Sequence, residues 1–426
     1  MPWLLRSKAA HFLARAITKL SRVDQYSLFQ REALCFALLQ PAAAYTKARP
    51  VVWTSTFVPS ELSYAAGAIP FIPELAAGVA ASLGLGVPML CSAEGEGYSS
   101  DLCGFHRCMV GMARNGLLPE PNAIVTTNLL CDGGVRAFEN LAHTLGVPCY
   151  NLDVPVTAPG STYCTEAVDY VAHQLQDLWQ RLVREIHPRR LLNHTDSSLW
   201  LSRTAAHSRA CTLHRQRVNE LRQEVPGPWR GAEALSYFAV EMLAMGCPEG
   251  TRFFESLAVC LAKRVASGRA ALPGGERFRL LWLHLRPYTD SHVLDHLELN
   301  WKALIAFNDY SYVHWQPPRP EAFWQYLAQR MVDHPSWGPA ERRVQLVLKL
   351  VNDYRVDGVI QFSHWGCRQS TGMAWAIRQA LRDEGIPFLE LDGDCVDPRC
   401  VSTAQQRSRV DAFMEVLEGV KGCRRH

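Results

Sequence analysis

The chain has 426 residues, of which 48% are hydrophobic and 20% are charged. That length suits two or three domains, and the apolar fraction excludes wholesale disorder and a collagen-like structure. The formal net charge of +3, from 44 Lys and Arg against 41 Asp and Glu, gives no electrostatic reason to expect a nucleic-acid binder. Only 7 residues are Lys and no GxxxxGK[ST] loop occurs, which argues against a P-loop nucleotidase.

The chain contains 14 cysteines, an unusual number, yet its N-terminus does not read as a secretory signal. Arg6 and Lys8 interrupt the early apolar residues, so no apolar core of signal length forms. Reduced thiols kept for metal or redox chemistry therefore fit better than a disulfide framework, and we predict a cytoplasmic protein. Residues 65–90 are very apolar, but Pro70, Pro73 and Pro88 interrupt them, so we expect no membrane span.

The first 23 residues form a basic amphipathic pattern. Its apolar face contains Trp3, Leu5, Phe12, Leu13, Ala16, Ile17 and Leu20. A transit peptide or a membrane-surface helix would show this pattern, but we favour a helix packed on the rest of the protein.

The next part of the chain alternates between strand and helix patterns. Pro at an early position and Glu61 in the first turn favour a helix start at Pro59. In chain order we predict a strand, a helix, a strand, a Gly- and Ser-rich loop and a second helix, over residues 51–55, 59–67, 69–72, 91–100 and 101–115.

The clearest unit of the sequence begins at the apolar, β-branched run Ala123–Thr127, which predicts a buried strand. A loop containing Cys131 follows, and then a helix over residues 134–145 that is stopped by Gly146 and Pro148. A second strand, Cys149–Leu152, completes the unit and ends just before an aspartate.

The same unit recurs near the C-terminus. We predict its strand, thiol, helix and second strand at residues 358–362, Cys367, residues 372–383 and residues 388–391. The distance from the closing glycine to the following aspartate is seven residues in both copies, from Gly146 to Asp153 and from Gly385 to Asp392. Two βαβ units with the same punctuation indicate two similar α/β domains, each with a parallel sheet.

Residues 163–270 lack convincing strands and show helical spacing of apolar residues. We therefore predict an α/β fold with two similar Rossmann-like domains whose parallel sheets face a cleft, plus a helical N-terminus and a helical middle segment. The predicted divisions, in order, are residues 1–48, 49–160, 161–276 and 277–426.

Ligands of open parallel sheets bind beyond the carboxyl ends of the strands, which is where Cys131 and Cys367 fall. If the two domains face each other, both thiols point into one cleft, and Cys103 or Cys108 can supply a third. Three thiolates suit an iron–sulfur cluster or zinc. A buried cysteine often only fills space, and no CxxC pair is present, so the position in the repeat carries this hypothesis.

Several motifs also resemble the 2-hydroxyacyl-CoA dehydratase D-component family, which includes benzoyl-CoA reductase subunits. They lie within residues 50–155 and 278–415, and the helical stretch between them contributes little. The matching segments are Pro59-x-Glu61-Leu62, Ala65-Ala66-Gly67-Ala68-x-Pro70, Cys103-Gly-Phe-His-Arg107 with Gly111, Asn128-x-x-Cys131-Asp132, Asp153-Val154-Pro155, Asp357-Gly-Val-Ile360, His364-Trp-Gly-Cys367-Arg368 and Asp392-x-Asp394.

The resemblance implies an oxygen-sensitive [4Fe-4S] cluster whose three ligands match Cys103, Cys131 and Cys367. It also implies a separate ATP-hydrolysing activator protein that delivers one electron, so that the thioester carbonyl becomes a ketyl radical and a hydroxyl can leave. Related enzymes work as pairs of related subunits, so we expect a heterodimer or a homodimer acting on an acyl-CoA, with no nucleic acid involved.

Two polar residues are candidates for the chemistry beside the cluster. Glu61, at a helix start, can act as an acid or base for the departing hydroxyl, or it can simply favour the helix N-terminus. His364 can donate a hydrogen bond to a cluster sulfur or to the substrate, or it can be an ordinary loop histidine.

Two alternatives remain open at this point. The first is an ATP-coupled reductase of the same ancestry, benzoyl-CoA reductase-like or carrying a double-cubane iron–sulfur cluster that reduces a small molecule. The second is a non-catalytic scaffold that retains the fold, which the presence of all three proposed ligands disfavours.

Overall fold

The structure is a computed structural model, and it describes residues 40, 42–47, 49–156, 165–187, 194–289 and 292–423. The predicted amphipathic helix of residues 1–23 lies outside this part of the chain.

The first half of the described chain is built on a parallel four-stranded sheet. Its strands are β1 (Val51–Thr54), β2 (Ile69–Phe71), β3 (Ala123–Thr127) and β4 (Cys149–Leu152), in the spatial order β2-β1-β3-β4. The helices of this half are α1 (Ser60–Ala65), α2 (Pro73–Ser82), α3 (Gly86–Gly95), α4 (Gly104–Arg114) and α5 (Asp132–Leu145). β1, β2 and β3 are buried along their whole length, as their apolar, β-branched sequences require.

A helical segment follows, as the sequence predicts. It consists of α6 (Thr165–Ile186), α7 (His194–Leu221), α8 (Gly231–Ser236), α9 (Phe238–Leu243) and α10 (Pro248–Ala266). α6 buries the stripe Val168, Val171, Leu175, Leu178, Leu182 and Ile186, which repeats at helical spacing. This stripe joins a core cluster with Val52 and Val125 of the first sheet.

The second half repeats the first. Its strands are β5 (Phe278–Leu283), β6 (Ala303–Asn308), β7 (Gly358–His364) and β8 (Phe388–Gly393), all parallel and in the order β6-β5-β7-β8. Its helices are α11 (His292–Asp295, continued by a π-helical turn at His296–Asn300), α12 (Phe323–Val332), α13 (Ala340–Asp353), α14 (Arg368–Gly372), α15 (Ala374–Asp383) and α16 (Thr403–Cys423).

The two sheets are equivalent even in register. Trp53 of β1 pairs with Ile124 of β3, and Trp282 of β5 pairs with Ile360 of β7. All four side chains are buried in a single apolar cluster that spans both halves. The predicted α/β fold with two Rossmann-like parallel sheets and a helical middle is therefore confirmed.

Three local predictions differ from the structure. Residues 91–100 are not all loop, because Cys91 lies inside α3, where burial of Leu90 and Ala93 overrides the glycines. β6 has no counterpart among the predicted strands, although its sequence is an apolar run. The helix predicted for residues 372–383 is divided into α14 and α15.

Among the residues that the structure describes, no helix combines the length and the apolar character needed to cross a lipid bilayer.

Candidate functional site

The carboxyl ends of both sheets border one cavity with about 840 Å³ of empty space. Its lining includes Cys103, Cys131 and Cys367, and we name it the thiol cavity. Eleven free cysteines are described, and the other eight do not line it. The structure therefore brings together the three cysteines that the sequence singled out, from both halves of the chain.

Local folding explains why the three thiols lie at this edge. Cys131 follows β3 and Cys367 follows β7, the strands adjacent to β1 and β5, where the strand order of each sheet reverses. Cys103 and Cys131 are also the N-cap residues of α4 and α5, and the Cys131 sulfur accepts the backbone N–H of Gly134 at 3.2 Å. The positive end of a helix favours a thiolate over a thiol.

His364 lies beside Cys103, with 3.1 Å between its Nε2 and the Cys103 Sγ. The backbone N–H of Cys395 donates to the other ring nitrogen, Nδ1, at 3.0 Å. The neutral ring therefore carries its proton on Nε2 and donates it to the sulfur. Burial lowers the pKa of His364, which keeps the ring neutral.

His284 occupies the equivalent place beside Cys367, with 3.6 Å between its Nε2 and the Cys367 Sγ. Its backbone has a φ of 72°, a left-handed conformation that a bulky residue rarely adopts. Its N–H donates to Asp309 at 2.9 Å, and Asp309 is paired with Arg343 at 2.6 Å. Sequence reasoning missed this histidine; its position directly after β5, at a strand's carboxyl end, was the available signal.

His106 is the partner of Cys131. Its Nε2 lies 3.4 Å from Glu74, and hydrogen bonds to Cys131 and Glu74 outweigh burial and raise its pKa to about 10. Glu74 also accepts hydrogen bonds from the N–H and hydroxyl of Thr56. Sequence reasoning missed His106 as well, although it lies inside the segment that begins at Cys103.

The three sulfurs therefore share one environment, in which each is next to a buried imidazole. Burial, and then the nearby charges of Asp394, Cys131 and Cys367, raise the pKa of the Cys103 thiol well above its usual value. Holding all three as thiolates here requires a strong positive charge among them, which metal ions supply.

The donor set fits a multi-iron cluster better than a single ion. Within the described chain, no three His, Cys, Asp or Glu side chains converge closely enough to bind one metal ion. In an iron–sulfur cluster the cysteines bind different irons, so their sulfurs surround a volume instead of a point. Three thiols around one cavity meet that requirement, and a tetrahedral zinc site does not arise.

Glu61 lies outside the thiol cavity, in the lining of a neighbouring cavity with about 760 Å³ of empty space. It is completely buried, and the Arg330 guanidinium binds both its oxygens, at 2.7 and 2.8 Å. Burial acts to raise the pKa of Glu61, but Arg330 and the Ser208 hydroxyl outweigh it and the pKa is lowered. Glu61 is therefore a carboxylate at neutral pH.

The other charged residues of the matching motifs serve structural purposes. Arg107 is buried and paired with Glu94 at 2.6 Å and Asp397 at 3.2 Å. Asp394 accepts the N–H of Gly104 at the start of α4 and two N–H groups of its own loop. These contacts join the second half to the helix that begins at Cys103.

Fold and site together define an α/β protein in which two equivalent parallel sheets enclose a thiol-lined cavity. A family model described as "2-hydroxyglutaryl-CoA dehydratase, D-component" matches residues 55–417. The chain belongs to this family.

Characterised relatives match most of the chain at low identity. The chain is 24% identical to the (R)-phenyllactyl-CoA dehydratase alpha subunit of Clostridium sporogenes, over 89% of this chain and 92% of the relative. It is 25% identical to the (R)-2-hydroxyisocaproyl-CoA dehydratase alpha subunit of Clostridioides difficile, over 88% and 92%. A benzoyl-CoA reductase subunit of Thauera aromatica is 22% identical, over 78% and 80%.

Proposed function

We propose that this protein is the iron–sulfur subunit of a 2-hydroxyacyl-CoA dehydratase, a lyase that removes the hydroxyl of its substrate by a radical route. The observation that carries the proposal is the thiol cavity, where Cys103, Cys131 and Cys367 meet from both halves of the chain. These residues would hold a [4Fe-4S] cluster. Three protein ligands leave one iron open, which suits substrate or water binding.

When bound, the cluster supplies the low-potential electron that reduces the thioester carbonyl. The protein's own residues position and shield that chemistry. Leu129, Leu130 and Phe105 line the cavity and exclude water. His364 donates to the Cys103 sulfur, and Glu61, held ionised by Arg330, can accept a proton in the adjoining cavity.

Two protein partners follow from the family. Relatives of similar length are named alpha subunits, so we propose that this chain pairs with a related subunit. We also propose an ATP-hydrolysing activator as the source of the electron. The alternative of an ATP-coupled reductase with a double cubane requires more thiols than the three in this cavity.

The direct test is the iron and acid-labile sulfide content of the protein purified without oxygen, together with its EPR spectrum. We expect about four irons and four sulfides per chain. Cys131→Ala and Cys367→Ala should lose both, whereas Cys91→Ala, which removes an exposed thiol outside the cavity, should keep them.

Two other results would change the assignment. About eight irons per chain would favour the double-cubane reductase. A folded protein without iron, after anaerobic reconstitution with iron and sulfide, would contradict both catalytic functions and leave the scaffold.

A further inference from the structure

The cavity that contains Glu61 adjoins the thiol cavity, and we name it the arginine cavity. The two share the lining residues Thr56, Phe57, Leu129, Phe238 and Tyr310. A molecule that reacts beside the three sulfurs can therefore extend into the arginine cavity without leaving the interior.

Each arginine that lines this cavity is already paired with a buried carboxylate. Arg330 binds Glu61 through two hydrogen bonds, and Arg215 lies 3.3 Å from Glu241. The Glu241 carboxylate also accepts the hydroxyl of Ser311, so it is held in place from two sides.

The remaining polar groups of the lining add no positive charge. The carboxylate of Asp309 is paired with Arg343, which lies behind the cavity wall. Burial lowers the pKa of His314 to about 3 and the pKa of His334 well below its usual value, so both rings are neutral.

Apolar and aromatic surface makes up much of the rest. It comes from Phe57, Val58, Phe238, Met242, Met245, Tyr310, Trp315 and Met331. A carboxylate brought into such a cavity loses its hydration and finds no unpaired cation among the described lining residues, so its burial is unfavourable. An uncharged acyl group meets no such cost and gains contact with the aromatic wall.

We infer that the arginine cavity receives the side chain of the acyl group and selects uncharged, branched or aromatic 2-hydroxyacyl thioesters over dicarboxylic ones. The inference rests on the proposed function and names the substrate class of the same site. The ion pairs act here as a specificity device, since they consume the cations that a second carboxylate would need.

The test is calorimetric binding of CoA thioesters that lack the hydroxyl group, to the anaerobic protein with its measured iron content. The probes are 4-methylpentanoyl-CoA, 3-phenylpropanoyl-CoA and glutaryl-CoA, which share the CoA portion and differ only in the acyl group. We expect the first two to bind at least about tenfold more tightly than glutaryl-CoA.

A gain of affinity provides the second arm. Glu241→Gln releases Arg215 inside the cavity and should tighten glutaryl-CoA binding relative to 3-phenylpropanoyl-CoA. Glu276→Gln is the matched control, because it releases Arg279 from a buried pair that lines neither cavity, and it should leave the ratio unchanged.

Equal or tighter binding of glutaryl-CoA to the unmodified protein would overturn the inference and leave the dehydratase proposal standing. An unchanged ratio in Glu241→Gln would also overturn it. Failure of all three thioesters to bind an iron-loaded protein would contradict the proposed function itself.

Discussion

An imidazole beside each of the three thiols is the dominant feature of the site at the scale of single residues. His364 contacts Cys103, His284 contacts Cys367 and His106 contacts Cys131. A donor that faces a ligand sulfur places positive charge where an added electron would reside, so it stabilises the reduced state of a cluster. The histidines therefore set the reduction potential of the proposed cluster without binding iron.

Removing the His364 donor should make the cluster harder to reduce. We expect His364→Leu to shift the midpoint potential to more negative values at full iron content, and His364→Gln, which keeps an N–H, to shift it less. Redox titration followed by EPR measures the potential. His143→Leu, at an exposed position on α5, is the control. Equal potentials in the wild type and His364→Leu would show that this contact is only structural.

The pair Glu61–Arg330 should contribute strongly to stability because both side chains are buried. Glu61→Gln leaves the guanidinium without its counter-charge, and loss of one partner of a buried pair costs about 3–5 kcal/mol. Urea unfolding measures the loss. Glu120→Gln breaks the exposed pair with Lys47 and should cost about 0–1 kcal/mol. Similar losses in the two variants would contradict this account.

The same pair gives a pH dependence of known sign. The pKa of Glu61 is lowered in the folded state, so its contribution is present above the unfolded pKa and is lost as the pH falls through the folded value. The stability difference between the wild type and Glu61→Gln should therefore shrink on acidification, and a difference that grows would refute the assignment.

At the scale of elements, α3 and α4 pack unusually closely. A Cβ atom on Gly111 of α4 would lie 1.9 Å from the carbonyl oxygen of Met89 in α3, so only glycine fits there. This contact explains why residues predicted as loop form a helix, since α3 gains a partner that local sequence does not reveal.

Gly111→Ala should destabilise the protein by about 1–3 kcal/mol or more, because the methyl group meets backbone that cannot move independently. Gly419→Ala in α16 has open space around the added atom and should stabilise by about 0.5–1 kcal/mol. Thermal unfolding compares the two variants, and a neutral Gly111→Ala would show that the helices separate easily.

At the scale of the whole molecule, the site depends on the junction between the two halves. Asp394, just after β8, binds the N–H of Gly104 at the start of α4, next to Cys103. Arg107 of α4 reaches Asp397 in return. These buried contacts fix the position of one thiol relative to the other half of the chain.

Asp394→Ala should therefore lower iron content and stability without removing a proposed ligand. The variant leaves the buried N–H of Gly104 unpaired, at a cost of about 1–3 kcal/mol. Asp392→Ala is the matched control, because it breaks only a partly exposed pair with Arg409. Iron analysis and urea unfolding measure both effects. Full iron content in a destabilised Asp394→Ala would show that the junction does not position Cys103.

Much of this organisation follows from local sequence. Strands such as Ala123–Thr127 are continuous apolar, β-branched runs, and their punctuation by glycine and proline repeats in both halves. The same periodicity predicted that Cys131 and Cys367 follow strand ends. β6 was missed although it is just as apolar, because a short run between irregular segments carries no helical or alternating period.

The sequence by itself determined the two parallel sheets, the helical segment between them and the three thiols. The tertiary structure alone decided which side chains surround those thiols. His284 and His364 are 80 residues apart and Glu61 and Arg330 are 269 apart, and no local pattern links either pair. Their contacts arise because both sheets bury their apolar faces in one core, which brings the carboxyl ends of their strands to the same cavity.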